Sequence, residues 1–302
     1  MSNIQKVAII GCGSIGASWA ALFLAQGLTV SAFDINPAAQ KFLENIVSDA
    51  LPVLSSLGLL KKADAKPSDI LFTTTLEDAL KGADFVQENG PERLQFKQEL
   101  FDKIAQTVAE DTIIATSSSG LTCSSIQDGM LAASHPERCV SAAGRHPSRT
   151  MHFYASVGKK PVEVKKEVVG HVANRLQAAL MREMMYLLQE DVATISDLDT
   201  AMSFGPGLRW GVMGPNTLFH LGGGEGGIQH MADHLLGPLM SWYAPRDPVV
   251  DDGLKKKWVD GTLEEVNGRD YRELAMQRDE ELVRLLNVRH EWDGFAERKK
   301  SE

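Results

Sequence analysis

The chain is poor in cysteine. Cys12, Cys123 and Cys139 are the only three in 302 residues. They form no CxxC pair and no cluster with histidine at metal-ligand spacing. A disulfide framework and a zinc module are thereby excluded, no metal is expected, and a reducing compartment is implied. No apolar run is long enough to span a bilayer. Excess positive charge is lacking too: 31 Lys and Arg stand against 40 Asp and Glu, for a net charge of -9. Such a chain repels nucleic acid and anionic membranes, so neither is an expected partner. No N-terminal targeting signal is visible, because a strand pattern begins within the first few residues, and the cytoplasm is the expected location. Internal repeats are absent. What remains is 43% apolar and 24% charged sequence, normal for a globular protein with room for one large domain or two ordinary ones.

The strongest positive signal is "KVAIIGCGSIGASWAALFLAQGLTVSAFDIN". Val7 to Ile10 is a short continuous apolar run, as in a strand buried on both faces. Gly11, Gly13 and Gly16 follow in the spacing G-x-G-x-x-G. A helix pattern runs from about Ser14 to Gln26 and stops at Gly27. A second strand, "LTVSAF", ends at Asp34. The glycines serve different needs. Gly11 permits a tight turn, Gly13 lets the backbone approach a pyrophosphate, and Gly16 lets the helix pack closely. The loop Gly11, Cys12, Gly13, Ser14, Ile15 and Gly16 is therefore expected to face a diphosphate, held by free N–H groups at the helix start. Cys12 is read as a small packing residue. Asp34 can accept bonds from ribose hydroxyls and would repel a 2′-phosphate. No Arg follows it in "DINPAAQ", so NAD rather than NADP is the expected cofactor.

Strands and helices go on alternating. "PAAQKFLENIVSDALPVLSSLGLL" reads as a long helix, broken or kinked at Pro52. "DILFTT", "ADFVQE", "TIIATSSS" and "RCVSAA" read as strands, and "KPVEVKKE" as the last one. The alternation predicts an α/β Rossmann-type domain, a parallel sheet with helices on both faces, over 1–168. The pattern changes at 169. "GHVANRLQAALMREMMYLLQEDVA" is a helix apolar nearly all round, as in a buried helix or a dimer core, with Met181, Met184 and Met185 as core filler. "TISDLDTAMSFG" is an N-capped helix ending at Gly205. The rest is helix and Gly-rich loop, so 169–302 is expected to be an all-α substrate and dimerisation domain.

Together "GCGSIGASWAALFLAQGLTVSAFD", "FVQENGPERLQFKQELF", "SSSGL", "SHPERCV", "KKPVEVKKEVVGHVANRLQ" and "GPGLRWGVMGP" resemble the 3-hydroxyacyl-CoA dehydrogenase family, over nearly the whole chain and in order. The resemblance is greatest to the branch of L-carnitine dehydrogenase and the lambda-crystallin-type L-gulonate dehydrogenases. It implies NAD-dependent oxidation of a small L-3-hydroxy acid or a 3-hydroxyacyl-CoA, and a homodimer. Ser119 matches the serine that contacts the substrate hydroxyl, and Asn174 the active-site asparagine. Glu92 and Lys97 match positions that contact NAD. "FGPGLRW" matches a substrate-side segment. There Arg209 is suited to a carboxylate, and Phe204 and Trp210 to a trimethylammonium group or to interdomain packing.

The family's catalytic histidine stands in a motif like G-H-P-F-N-P after "ERCV", and a further strand carries a glutamate that orients it. This chain departs there. Ala143 occupies the histidine register, His146-Pro147 comes three residues late, and the block with the glutamate strand is absent. A lost strand leaves its neighbour's N–H and C=O groups without partners. One repair would slide "KPVEVKK" into the gap with Glu163 as the acid. His146 is the catalytic base reached by a loop of altered length, a solvated loop residue beside a damaged site, or a residue with a different role. His135 matches a position outside the site, and no family position supports His152. Three readings stay open: a working dehydrogenase, an impaired NAD(H)-binding relative with a structural or sensor role, and a chain that lacks a segment through splicing or gene-model error, the full protein being an ordinary dehydrogenase.

Overall fold

The structure, a computed structural model, describes residues 4–140 and 147–301. His146 and Ala143 lie outside the described residues. Two compact units divide at Arg175 and Leu176, within a helix and a few residues past the expected boundary.

In the first unit the strands are β1 (Lys6–Ile10), β2 (Thr29–Phe33), β3 (Leu71–Thr73), β4 (Phe85–Glu88), β5 (Ile113–Thr116) and β6 (Cys139–Val140). The helices between and after them are α1 (Ser14–Ala25), α2 (Ala39–Ser56), α3 (Leu76–Leu80), α4 (Leu94–Thr107), α5 (Cys123–Gln127) and α6 (Pro147–Ser156). All six strands are parallel, in the order β3-β2-β1-β4-β5-β6. Val7 stands beside Val30 on one side and Phe85 on the other. Side chains of β1 alternate between two cores, as a strand's period of two requires. Val7 and Ile9 join Phe23, Leu24, Val30 and Phe85 under α1 and α2. Ala8 and Ile10 join Val86, Phe101, Ile104 and Ile114 under α4. A sheet covered on both faces explains why these strands read as continuous apolar runs.

α6 has no clear helix signature in the sequence. Its signal is Thr150, Phe153 and Val157, at i, i+3 and i+7, all buried. Phe153 sits 4.5 Å from Phe85 and 5.5 Å from Phe23, ring centre to ring centre. The neighbouring Tyr154 lies 5.4 Å from Trp19. Aromatic contacts therefore hold this helix on the α1 face of the sheet.

Three other expectations need correction. "KPVEVKKE" forms no strand. Pro161 has no N–H to give a ladder, Val162 is 68% exposed, and Glu167 is used elsewhere: its carboxylate accepts from Ser124 N and Oγ in the first turn of α5. Glu163 therefore stands on no strand and repairs nothing in the sheet. Of the break or kink expected at Pro52 the break is absent, since α2 runs through it as one 18-residue helix.

The third correction concerns the second unit, where α7 (His171–Gln189) is mostly half-exposed. Leu188 is its one buried residue, and Leu176 is 67% exposed. Only one side is covered, where Leu188 packs with Ile195, Leu198 and Leu254, and Met184 and Met185 lean on that cluster. The rest of this unit is helical: α8 (Ile195–Phe204), α9 (Pro206–Val212), α10 (Pro215–Gly222), α11 (Gly227–Met231), α12 (Gly237–Met240), α13 (Asp252–Val266) and α14 (Tyr271–Ser301). Thr194 and Asp197 make the expected capping box at the start of α8.

Phe153→Ala is expected to cost about 3–5 kcal/mol, the usual range for emptying a core phenylalanine site. Urea unfolding of the variant should show a lower midpoint, and an unchanged midpoint would mean that α6 is not held by this ring.

Candidate active site

The strand order reverses between β1 and β4, and in open parallel sheets the ligand crevice lies there, beyond the carboxyl ends. β1 ends at Ile10 and passes into the glycine loop. Gly11 has φ +90°, and a Cβ on it would stand 2.9 Å from the Asn89 carbonyl oxygen. A Cβ on Gly16 would stand 1.9 Å from the Gly11 carbonyl oxygen. Both glycines are thus imposed by the protein's own backbone. At Gly13 a Cβ would meet nothing within 4 Å. That glycine keeps its surroundings open, as a backbone that must approach a diphosphate requires. Gly13 caps the 12-residue α1 without a side-chain bond, and Ser14 and Ile15 behind it are exposed. The first N–H groups of such a helix have no intrahelical partner and carry its positive end.

Asp34 lies just past β2. One oxygen accepts from Cys12 N at 3.0 Å and the other from Asn36 N at 2.9 Å. The carboxylate is thereby fixed beside the loop, with lone pairs left for a ribose. Cys12 itself is buried, and burial first and the Asp34 charge second push its thiol up to about 12. It is a packing residue, and its N–H serves Asp34.

Beyond β4 and β5 a second group of polar residues is assembled. Glu88 is completely buried and accepts from Lys97 Nζ with both oxygens at 2.9 Å, from Gly90 N at 2.6 Å and from Thr116 Oγ1 at 2.7 Å. Lys97 is 1% exposed, and its third bond goes to the Gly90 carbonyl oxygen at 3.3 Å. The structure thus places Lys97 beneath the crevice floor with its three donors occupied. Glu92, on the segment before α4, reaches across to the serine loop, where its Oε1 accepts from Ser118 Oγ, Ser119 N, Gly120 N and Leu121 N. Burial alone would raise the Glu92 carboxyl. The bonds from Ser118, Gly120 and Leu121 and the charge of Lys97 outweigh that and hold it below the usual carboxylate range. Asn89 is tied to Ser117 at 2.7 Å, Ser117 to Gln87 at 3.0 Å and Gln87 to Tyr154 of α6 at 2.6 Å. No sequence signal singles out this chain of amides and hydroxyls.

Ser119 and Asn174 are brought together. Asn174 Nδ2 donates to the Ser119 carbonyl oxygen at 3.4 Å, and both residues are exposed. Two histidines of this unit have local partners: His135 pairs with Glu137 at 3.2 Å, and His152 Nδ1 lies 2.6 Å from the Ser148 carbonyl oxygen. In the second unit Phe204 ends α8, and Arg209 and Trp210 lie on α9, all three exposed. Among the described residues no ring contact joins Phe204 to Trp210, so no aromatic cage is formed by that pair alone.

Known proteins share both halves of this chain. The family model for the NAD binding domain of 3-hydroxyacyl-CoA dehydrogenase matches residues 6–148, and that for its C-terminal domain matches 170–261. The chain is 37% identical to L-carnitine dehydrogenase of Nocardiopsis dassonvillei, over 95% of this chain and 92% of that one. It is 35% identical to L-carnitine dehydrogenase of Pseudomonas aeruginosa, over 98% of both. Among solved structures, 5-formyl-3-hydroxy-2-methylpyridine 4-carboxylic acid 5-dehydrogenase, an NAD+-dependent dismutase, superposes with a TM-score of 0.81 at 28% identity, covering 95% of this chain and 99% of that one. (S)-3-hydroxybutyryl-CoA dehydrogenase from Ralstonia eutropha shares the fold, with a TM-score of 0.58, 24% identity and coverage of 72% and 82%.

Gly16→Ala is expected to force the loop off α1, because the new methyl meets backbone that cannot turn aside. Overpacking of this kind costs about 1–3 kcal/mol. Calorimetric titration with NAD should show weakened binding, and undiminished affinity would mean that the loop does not hold the cofactor.

Proposed function

The chain belongs to the 3-hydroxyacyl-CoA dehydrogenase family and is an NAD-dependent dehydrogenase, and from that premise we propose that it oxidises the hydroxyl of a small L-3-hydroxy acid of the L-carnitine kind to the 3-keto product. The observation that carries this reading is the 37% identity to an L-carnitine dehydrogenase over 95% of the chain. In this reading NAD, when bound, would supply the hydride acceptor for the substrate's C3. The rest falls to the protein. The start of α1 would hold the diphosphate, and Asp34 would accept from the adenosine ribose. The Ser119 hydroxyl bonds the reacting oxygen, and Asn174 steadies the same loop. His146 takes the hydroxyl proton. Arg209 offers a planar fork suited to a carboxylate, and the exposed rings of Trp210 and Phe204 offer faces to a quaternary ammonium.

The reading of an impaired NAD(H)-binding relative draws no support from the comparisons. A homodimer is proposed on the exposed apolar side chains of the second unit, among them Trp242 at 66% and Leu263 at 63%. A cytoplasmic location keeps the three thiols reduced.

Purified protein with NAD should form NADH with L-carnitine in preference to a 3-hydroxyacyl-CoA. His146→Ala should lower turnover by about 10²–10⁴-fold, the usual worth of a general base, with NAD binding unchanged. Equal turnover in the variant would remove His146 from the reaction. Trp210→Leu should reduce the preference for L-carnitine over uncharged hydroxy acids by roughly tenfold. Unchanged discrimination between the two substrate types would dismiss the ring as an ammonium contact.

A further inference from the structure

We infer that Glu92 is a positioning residue for Ser119: it gathers the backbone of the serine loop around one carboxylate oxygen and so presents the Ser119 hydroxyl to the substrate. The inference rests on the function proposed above and goes beyond the cofactor contact that family resemblance suggests for Glu92.

Four donors converge on Glu92 Oε1. Ser118 Oγ lies at 2.6 Å, Ser119 N at 2.9 Å, Gly120 N at 2.8 Å and Leu121 N at 3.3 Å. Successive N–H groups aimed at one point form an anion nest. Here the protein fills the nest with its own carboxylate, so a substrate carboxylate is kept out of it. The segment needs the restraint. Ser117 to Gly120 is a run of three serines and a glycine, with small side chains and much backbone freedom. Ser119 is held on both sides of its Cα: Glu92 takes its N–H, and Asn174 Nδ2 reaches its carbonyl oxygen at 3.4 Å. Among the described residues nothing is bonded to the Ser119 hydroxyl, and the residue is exposed.

Glu92 is fixed in its turn. Its other oxygen lies 3.7 Å from the ammonium of Lys97, which the buried Glu88 anchors at 2.9 Å. The carboxylate is lowered below the usual range, so it is ionised near neutrality. Protection of the loop is therefore complete above the ordinary carboxylate range and is lost as pH falls through the depressed Glu92 value.

The test compares the full-length parent with Glu92→Gln in two measurements. The first is amide exchange at Ser119, Gly120 and Leu121 across pH, corrected for intrinsic exchange. In the variant these amides should exchange about tenfold faster near neutrality, and the parent's loss of protection in acid should be missing. The second is steady-state kinetics with NAD titration. The variant should lose about tenfold in kcat while its NAD affinity stays within about twofold of the parent. Equal exchange rates overturn the inference whatever the kinetics show. Faster exchange with kcat unchanged also overturns it, as does an NAD affinity that falls in step with kcat, which would make Glu92 a cofactor contact. If the parent turns over no hydroxy acid, the function reading has failed, and the exchange rates still decide whether Glu92 holds the loop. Should Glu92→Gln not fold, Ser118→Ala removes a single donor and should shift both readouts in the same direction by a smaller factor.

Discussion

A lysine ammonium with no access to water rests on a glutamate with none. Lys97 and Glu88 are 1% and 0% exposed, 2.9 Å apart. Neither charge is tolerable alone at that depth, because removing two ions from water costs several kcal/mol each unless geometry and further hydrogen bonds offset it. The further bonds are present, from Gly90 and Thr116 to the glutamate and from the lysine to the Gly90 carbonyl oxygen. A pair so dependent on its surroundings fixes them. It ties the end of β4 to the first turns of α4 and to the end of β5. The turn through Asn89 and Gly90, against which the glycine loop packs, has little freedom left.

The crevice is built outward from that pair. On one side, the carbonyl of Asn89 sets the space at Gly11, and Gly11 sets the space at Gly16. On the other, Lys97 steadies Glu92, and Glu92 collects the serine loop. Charge decreases along this path. The innermost members are fully desolvated ions, then comes a half-exposed carboxylate, then backbone amides, and at the surface a hydroxyl and a carboxamide. Buried polar networks of this kind act as a unit, since each member satisfies the next.

The parts that sequence could reveal are those imposed by steric rules. Gly11 and Gly16 are legible because another side chain there would collide with backbone, and β1 is legible because both its faces are covered. Asp34 is readable from its position at a strand end. Lys97 and Glu88 are not readable as a pair, because in "QENGPERLQFK" they look like ordinary surface charge. Their burial depends on how β4 and α4 meet, which is a tertiary fact. "KPVEVKKE" alternates like a strand, yet Glu167 serves as a helix cap instead. α6 is hidden because its buried Thr150, Phe153 and Val157 are separated by Met, His, Tyr, Ala and Ser. The long α7 shows the opposite error: its apolar character reflects a side that the described chain leaves open, not burial within it.

The two-residue β6 bears on how the fold tolerates changes of chain length. Among the described residues it stands last in the sheet and pairs with β5 alone. Every strand that builds the crevice lies inward of it. Residues gained or lost directly after Val140 therefore fall beyond the outermost strand pair and leave the ladder bonds among β1, β2, β3 and β4 unchanged. A change of length at that margin is thus compatible with the dinucleotide half only where the chain still returns Phe153 to the core beside Phe85 and Phe23.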